Sequence, residues 1–171
     1  LSAKQLALLD TFVKKAEQVE VQSSMTVDPE KYAEAKLYVD LADTYIGMTA
    51  KKAKHIDILR SAIAQNIGFS DEQLEAGRNA VSGEIKRYNK LKRRFEVGQL
   101  IRYTGQRPAV EMAMVVDVPS VADHGHNARG YYGRASKSIR VPVIVDGQLV
   151  FAQQAHIHKY TKKELKALGA I

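Results

Sequence analysis

Residues 139–160, IRVPVIVDGQLVFAQQAHIHKY, decide how the C-terminal half of the chain folds. Two runs rich in β-branched residues flank Asp146-Gly147, a dipeptide that readily supplies the positive φ angles of a two-residue type I′ turn. The hairpin that follows from this turn has four predicted cross-strand pairs: Val145–Gln148, Val143–Val150, Val141–Ala152 and Ile139–Gln154. Because strand side chains alternate, Ile144, Leu149 and Phe151 fall on the second face. Apolar groups on both faces predict a hairpin that is buried on two sides.

The segments around this hairpin also read as short strands. The period changes from helical to alternating near residue 98, and we predict strands over residues 99–103 and 111–118 with a turn between them. Residues 119–138 form a predicted loop of 20 residues, a length that is usually functional or disordered in a compact domain. After the hairpin, Thr161 and Glu164 have the spacing of a capping box and predict a short terminal helix.

The N-terminal half carries helical signals instead. Helix starts are predicted at Ser2, Asp28, Thr49 and Ser70, since each precedes an amphipathic segment and suits an N-cap. In the first helix, an apolar stripe at helical spacing predicts a packing face, and it comprises Leu6, Leu9, Val13 and Ala16. The last predicted helix runs from residue 70 to about residue 95, with apolar residues at every seventh position: Leu74, Val81, Tyr88 and Phe95. Within it, Gly77 and Gly83 are predicted to mark close approach to a neighbouring helix.

These patterns predict an α+β protein divided near residue 95. Residues 1–95 would form a helical region of about four helices. Residues 96–171 would form a small antiparallel β-barrel with the long loop 119–138 and a short C-terminal helix. The strand number, the long connection and the final hairpin resemble an SH3-like or comparable small barrel, which is a likeness of fold and carries no function by itself.

Composition limits the classes of protein that the chain can belong to. It has 171 residues with 26 Lys and Arg against 19 Asp and Glu, a net charge of +7 that favours polyanionic partners. Without cysteine it can form neither disulfides nor thiolate metal sites. Because no apolar run approaches the roughly 20 residues of a membrane span, we expect a cytoplasmic or virion location and no membrane contact. The chain begins at Leu1 rather than Met, which leaves a removed leader open.

A basic segment, KRYNKLKRR at residues 86–94, ends the last predicted helix of the N-terminal half. It has six cations and no acid. Cations near a helix C-terminus complement the helix dipole, but six of them exceed what that requires. The alternative is contact with nucleic-acid phosphates or with an acidic protein surface. The candidate contact residues are Lys86, Arg87, Lys90, Lys92, Arg93 and Arg94.

A second basic segment, RGYYGRASKSIR at residues 129–140, lies in and after the long loop. Paired tyrosines beside arginines suit base stacking with phosphate contact, and they equally suit an arm that becomes ordered against a protein neighbour. A solvated tip with a tyrosine packed on the core is the third interpretation. The candidate contact residues are Arg129, Tyr131, Tyr132, Arg134, Lys137 and Arg140.

Histidines are the remaining candidates for chemistry. Four of them, His124, His126, His156 and His158, could in principle ligate zinc, because neutral imidazole is a common ligand. No two of them stand at the helical spacing of a metalloprotease motif, however. The alternative is that His156 and His158 cap a strand end, while His124 and His126 are turn residues of the loop. The phosphate-binding loop GxxxxGK[ST] and the nucleophile elbow GxSxG are both missing. We therefore predict no catalytic residue, no metal and no cofactor.

The leading hypothesis is a non-enzymatic component of a large assembly that contains nucleic acid. Examples are a virion head–tail connector, another phage structural protein or a ribonucleoprotein subunit, and the expected partners are protein neighbours including copies of the chain itself. A soluble DNA- or RNA-binding regulator that uses the barrel loops is the second hypothesis. A histidine-ligated metal hydrolase is the third.

Overall fold

The computed structural model describes residues 2–24, 28–123 and 137–171, and it has the predicted α+β character. The chain divides into two compact units. A helical unit comprises Leu1–Ala42 and Gly47–Ser82, and a sheet unit comprises Asp43–Ile46 and Gly83–Ile171. The chain changes from helix to strand just after residue 95. The predicted domain boundary near that residue stays a prediction.

The helical unit holds α1 (Ala3–Ser24), α2 (Pro29–Ala42), α3 (Ala50–Gln65) and α4 (Asp71–Ala80). Apolar side chains of α2 and α3 form its buried centre, and the largest that are fully buried are Leu41, Ile56 and Leu59. Burial of such side chains stabilises a fold by about 1.5–3 kcal/mol each. This packing places α2, α3 and α4 against one another.

All of the predicted helix starts are confirmed by their capping contacts. Ser2 accepts a hydrogen bond from Gln5 N at 3.3 Å, and Asp28 Oδ1 accepts one from Glu30 N at 2.9 Å. Thr49 caps α3, and Ser70 forms a reciprocal capping box with Gln73 at the start of α4. Because these side chains satisfy backbone N–H groups that have no partner within the helix, short sequence motifs were sufficient to locate these four helix starts.

The prediction of one helix from residue 70 to residue 95 is wrong. α4 ends at Ala80, and a separate helix, α5 (Ser82–Arg94), follows it. Val81 leaves helical geometry with φ −113° and ψ 23°. Ser82 and Gly83 come next, and both residue types favour the helix interior less than alanine does. The described part of the chain before residue 95 therefore has five helices rather than about four.

The sheet unit is built on an antiparallel, curled sheet of six strands. The strands are β1 (Leu100–Tyr103), β2 (Val110–Val115), β3 (Ser120–Asp123), β4 (Lys137–Val145), β5 (Gln148–Ala152) and β6 (Ile157–Lys159). Their order is β3-β4-β2-β1-β6, with β5 also paired to β4. A 3₁₀ helix (Gln154–His156) precedes β6, and α6 (Lys162–Ala167) follows it. The predicted capping box of Thr161 and Glu164 starts α6.

The core of the sheet unit lies on the inner face of this curled sheet. Leu91 and Phe95 at the end of α5 pack there with the inward side chains of the strands. The largest fully buried side chains on the strands are Ile101, Val115, Val141, Val143 and Ile157. Since alternate residues of each strand point inward, this one set of side chains fixes the register of the sheet.

The hairpin turn is confirmed at Asp146-Gly147, whose φ angles are 50° and 77°. Three of the four predicted pairs form, namely Val141–Ala152, Val143–Val150 and Val145–Gln148. The fourth prediction is wrong, because Gln154 has left the strand for the 3₁₀ helix. Ile139 pairs with Val121 of β3.

Burial of the hairpin on two sides is also wrong. Val141, Val143 and Val145 are buried on the inner face, as alternation requires. On the outer face, however, Leu149 is 55% exposed and Phe151 is 42% exposed. The outer face therefore remains a solvent-accessible apolar surface in the single chain.

The predicted loop over residues 119–138 is shorter than expected. Ser120–Asp123 is β3, and β4 begins at Lys137. The two strands pair antiparallel from Ser120 with Arg140 to Asp123 with Lys137. A four-residue strand next to Pro119 has too few alternating positions to be recognised from its sequence. Residues 124–136, the remainder of the predicted loop, lie outside the described residues.

Candidate nucleic-acid and partner interface

α5 presents one face to the core and its cations to solvent. Its buried residues are Glu84, Tyr88 and Leu91, and Phe95 continues the same face just past the helix end. This spacing of four, three and four residues is one side of a 3.6-residue helix. Burial, and secondarily the carboxylate of Asp117, raises the pKa of the Tyr88 hydroxyl.

The six predicted cations of α5 are all exposed, and five of them share one side of the helix. At 100° per residue, the five fall within an arc of roughly 120°, whereas Lys92 lies on the opposite flank of the packing face. We call the five the cationic face of α5, and it comprises Lys86, Arg87, Lys90, Arg93 and Arg94. Their close spacing creates a positive potential that favours anionic partners over a continuous surface.

Local contacts orient two of these cations. Arg87 Nη1 lies 3.2 Å from Glu84 Oε2, so a buried carboxylate has a charged partner at the helix surface. The Arg94 guanidinium lies over the ring of Phe95, 5.3 Å from its centroid. Both arginines remain exposed, and each guanidinium has one local contact. Such pre-ordering lowers the entropic cost of binding an anion.

A groove runs beside the cationic face within the sheet unit. Its first part has a volume of about 520 Å³, and its walls include Arg87 and Lys90 of α5, Lys137 of β4 and Thr44. An adjoining part of about 610 Å³ is lined by Arg94 and His158, among others. Both parts share Ser138, Ile139 and Gln154. The structure thus brings four predicted contact residues to one groove: Arg87, Lys90, Arg94 and Lys137.

The two described cations of the second basic segment are held by neighbouring groups. Lys137 Nζ lies 3.1 Å from Asp43 Oδ2, and both side chains are partly exposed. Arg140 donates to Ser138 Oγ at 2.9 Å and to the Phe151 carbonyl at 3.3 Å. Arg140 therefore joins β4 to β5 as well as adding positive charge.

Several candidates lie outside the described residues. Arg129, Tyr131, Tyr132 and Arg134 of the second basic segment belong to this group, so its role in contact stays a prediction. His124 and His126 also lie outside the described residues, so the expectation that they bind no metal stays a prediction.

The two described histidines of the candidate metal set make local contacts. His156 lies in the 3₁₀ helix rather than on a strand with His158, and it meets the Tyr103 ring edge-on at 6.4 Å between centroids. His158 Nε2 lies 3.1 Å from Thr104 Oγ1. Within residues 2–24, 28–123 and 137–171, no three His, Asp or Glu side chains are grouped so that they could hold a metal ion.

The outer face of the sheet carries an apolar surface, of which the sequence predicted only the hairpin residues Ile144, Leu149 and Phe151 and expected them to be buried. Leu100 pairs with Met114, Met114 with Ile144, and Ile144 with Leu149, so one row crosses four strands. Met112 and Leu149 are each 55% exposed. The alternation of methionines in EMAMVV was the available signal, but the partner strands that complete the row are distant in sequence. Patches of this kind often mark protein–protein contacts.

Among the described residues, no helix has the length and apolar character needed to cross a bilayer. Comparison with protein-family models, with curated proteins and with solved structures finds no match to this chain.

Proposed function

We propose that this protein is a non-enzymatic assembly component of a large complex that contains nucleic acid. A virion head–tail connector, another phage structural protein and a ribonucleoprotein subunit are the classes that fit. The observation that carries the proposal is the cationic face of α5 beside a groove that Lys137 also lines. Lys and Arg in such a row match the regular negative charge of a nucleic-acid backbone, and they need no particular base sequence.

Two further features support an assembly role over a catalytic one. The groove contains apolar side chains such as Leu91 and Ile139 along with its cations, a mixture that suits a macromolecular contact. The outer face of the sheet offers a second, apolar contact surface on the same unit. An assembly subunit needs at least two such surfaces, one for each neighbour.

The proposal includes the finer architectural and cellular expectations. We propose that the curled sheet corresponds to an SH3-like small barrel, that copies of the chain form a homo-oligomer, and that the protein acts in the cytoplasm or in a virion. A metal or other cofactor has no part in this function. The histidine-ligated hydrolase is the weaker alternative because His156 and His158 already contact Tyr103 and Thr104.

Binding of random-sequence DNA and RNA across a salt series tests the proposed function. The test variant combines Lys90→Gln, Arg93→Gln and Arg94→Gln; it leaves Arg87 in place because that side chain pairs with buried Glu84. We expect the slope of log affinity against log salt to fall by roughly one for each phosphate that the variant no longer neutralises. The matched control removes three exposed charges of α6 through Lys162→Gln, Lys163→Gln and Lys166→Gln.

The control separates a contact surface from general electrostatics. If the α5 and α6 variants lose affinity equally, net charge alone attracts the nucleic acid and the proposed surface is wrong. A soluble DNA- or RNA-binding regulator is the second candidate, since the same cations would serve it. A regulator should prefer particular nucleic-acid sequences, which competition between sequences measures. It should also form no large assembly, which the mass of the purified protein in solution measures.

A further inference from the structure

α1 exposes an apolar stripe that the rest of the helical unit leaves uncovered. All of its side chains described by the structure, up to residue 15, are exposed. The large apolar ones are between 47% and 63% exposed: Leu6, Leu8, Leu9, Phe12 and Val13. Helices in proteins gain most of their stability from packing of an apolar face. We therefore expect the exposed stripe of this 22-residue helix to pack against another surface.

The width of the stripe indicates what kind of partner fits. At 100° per residue, the five apolar residues span an arc of roughly 160°. Over the first four turns the charged residues, Lys4, Asp10, Lys14, Lys15 and Glu17, all fall outside this arc. A two-stranded coiled coil uses a narrower seam of two positions in seven, so this stripe suits contact with more than one neighbouring helix.

The charge of α1 sets it apart from the rest of the chain. Within Ala3–Ser24 there are three cations, at positions 4, 14 and 15, and three acids, at positions 10, 17 and 20, which gives a net charge of zero. The whole chain carries +7. Helices that bind nucleic acid or an anionic membrane carry excess positive charge. A helix with no net charge has no such electrostatic attraction for either. Copies of α1, by contrast, approach one another without net repulsion.

We infer that α1 is the self-association element of this protein, through which copies of the chain pack their apolar stripes together in a helical bundle. The occupant of the stripe is the same stripe on other copies, since over the first four turns of α1 it offers the apolar character and the absence of charge that the contact requires. The inference rests on the proposed assembly function and names one partner within it. The proposed ligand of the cationic face of α5 is nucleic acid, so the α1 contact and the α5 contact can be tested separately.

The first test is the mass of the full chain in solution. We expect the wild type to have a multiple of its chain mass of 19.0 kDa at micromolar concentration, by light scattering after size exclusion. Leu9→Asp combined with Phe12→Asp should reduce the mass to that of one chain. Because both side chains are exposed, the thermal unfolding of the remaining fold should not change. A wild type that is monomeric throughout, or a variant that keeps the wild-type mass, overturns the inference.

Cysteine cross-linking provides the geometric test, since the chain has no cysteine of its own. Leu9→Cys lies inside the stripe, and Thr11→Cys lies about 160° around the same helix. Under mild oxidation, we expect Leu9→Cys to form disulfide-linked chains at least about tenfold faster than Thr11→Cys. Equal rates, or faster linkage through Thr11→Cys, would show that the stripe does not face a second copy.

Nucleic acid and membranes are the competing outcomes. The Leu9→Asp, Phe12→Asp variant should bind random DNA with the wild-type salt slope, whereas the α5 variant should have a reduced slope and keep its mass. Failure of only one result therefore identifies which proposal is wrong. If wild type binds vesicles of phosphatidylcholine and phosphatidylglycerol and the α1 variant does not, while both have the mass of one chain, the stripe is a membrane contact and the inference is overturned.

Discussion

Gly77 of α4 lies directly against the side chain of Leu59 in α3, so close that a Cβ atom at position 77 would overlap Leu59 Cδ1. The same Cβ would lie 3.4 Å from Leu59 Cγ and 3.9 Å from Tyr38 Cδ2. Leu59 is completely buried and Tyr38 nearly so, which leaves neither side chain room to move away. A missing side chain is therefore what lets α4 pack closely on α3.

Gly77→Ala should destabilise the fold even though alanine favours a helix. We expect a loss of about 1–3 kcal/mol in the free energy of unfolding, because overpacking outweighs the gain in helix propensity. Gly83→Ala is the matched control, since a Cβ at position 83 meets nothing within 4 Å. That change should stabilise by about 0.4–1 kcal/mol. Urea unfolding measures both, and equal effects at the two glycines would contradict the close packing.

Gly147→Val should destabilise the hairpin. Gly147 has φ 77°, a backbone conformation that a β-branched residue adopts only with strain of about 1–3 kcal/mol. The expected result is a lower unfolding temperature. Gly147→Asn is the control, because asparagine tolerates positive φ, and this variant should have a smaller decrease in unfolding temperature. If valine and asparagine have the same effect, the turn does not set the stability of the sheet unit.

Stability should fall at alkaline pH in part through Tyr88. Burial raises the pKa of its hydroxyl above the ordinary value of 10.0, with Asp117 as the second cause. In the unfolded chain the hydroxyl ionises near pH 10, so its contribution is present below that pH and is lost as the pH rises through the folded pKa. Tyr88→Phe should therefore lose less stability than wild type between about pH 9 and pH 11, as measured by urea unfolding at each pH. Identical pH slopes would contradict this assignment.

Local signals were enough to predict the helix starts and the hairpin, because in each case the decisive residues are neighbours in the chain. Thr49 caps the helix that follows it, and Asp146-Gly147 makes its own turn. The pairing of Ile139 was wrong for the opposite reason. Gln154 has left the strand for the 3₁₀ helix, and the observed partner Val121 belongs to a short strand that carries no strong signal alone.

The candidate site shows the same limit. The basic composition of residues 86–94 predicted a cationic segment, and helical periodicity alone puts five of its cations on one face. The groove beside it could not be predicted, since its walls come from Thr44, Arg87, Lys137 and Gln154, which only the fold brings together. Similarly, spacing predicted Leu6, Leu9 and Val13 of the α1 stripe, but spacing does not reveal whether the chain itself covers them.

Whether the two basic segments meet nucleic acid or protein is the subject of the last prediction. Arg93→Gln with Arg94→Gln removes charge from the cationic face, and Tyr131→Ala with Tyr132→Ala removes the paired rings of the second segment. Exposed ion pairs contribute about 0–1 kcal/mol to stability, so the arginine variant should remain folded.

One binding assay across a salt series compares the two variants. If nucleic acid is the ligand, the arginine variant should bind more weakly with a reduced salt slope, because fewer counterions are released. If a protein neighbour is the ligand of the second segment, the tyrosine variant should show the larger decrease in affinity, since buried aromatic anchors carry a large share of the binding energy. Wild-type binding and assembly by both variants would mean that these segments are solvated surface, because removal of a true contact residue weakens binding measurably.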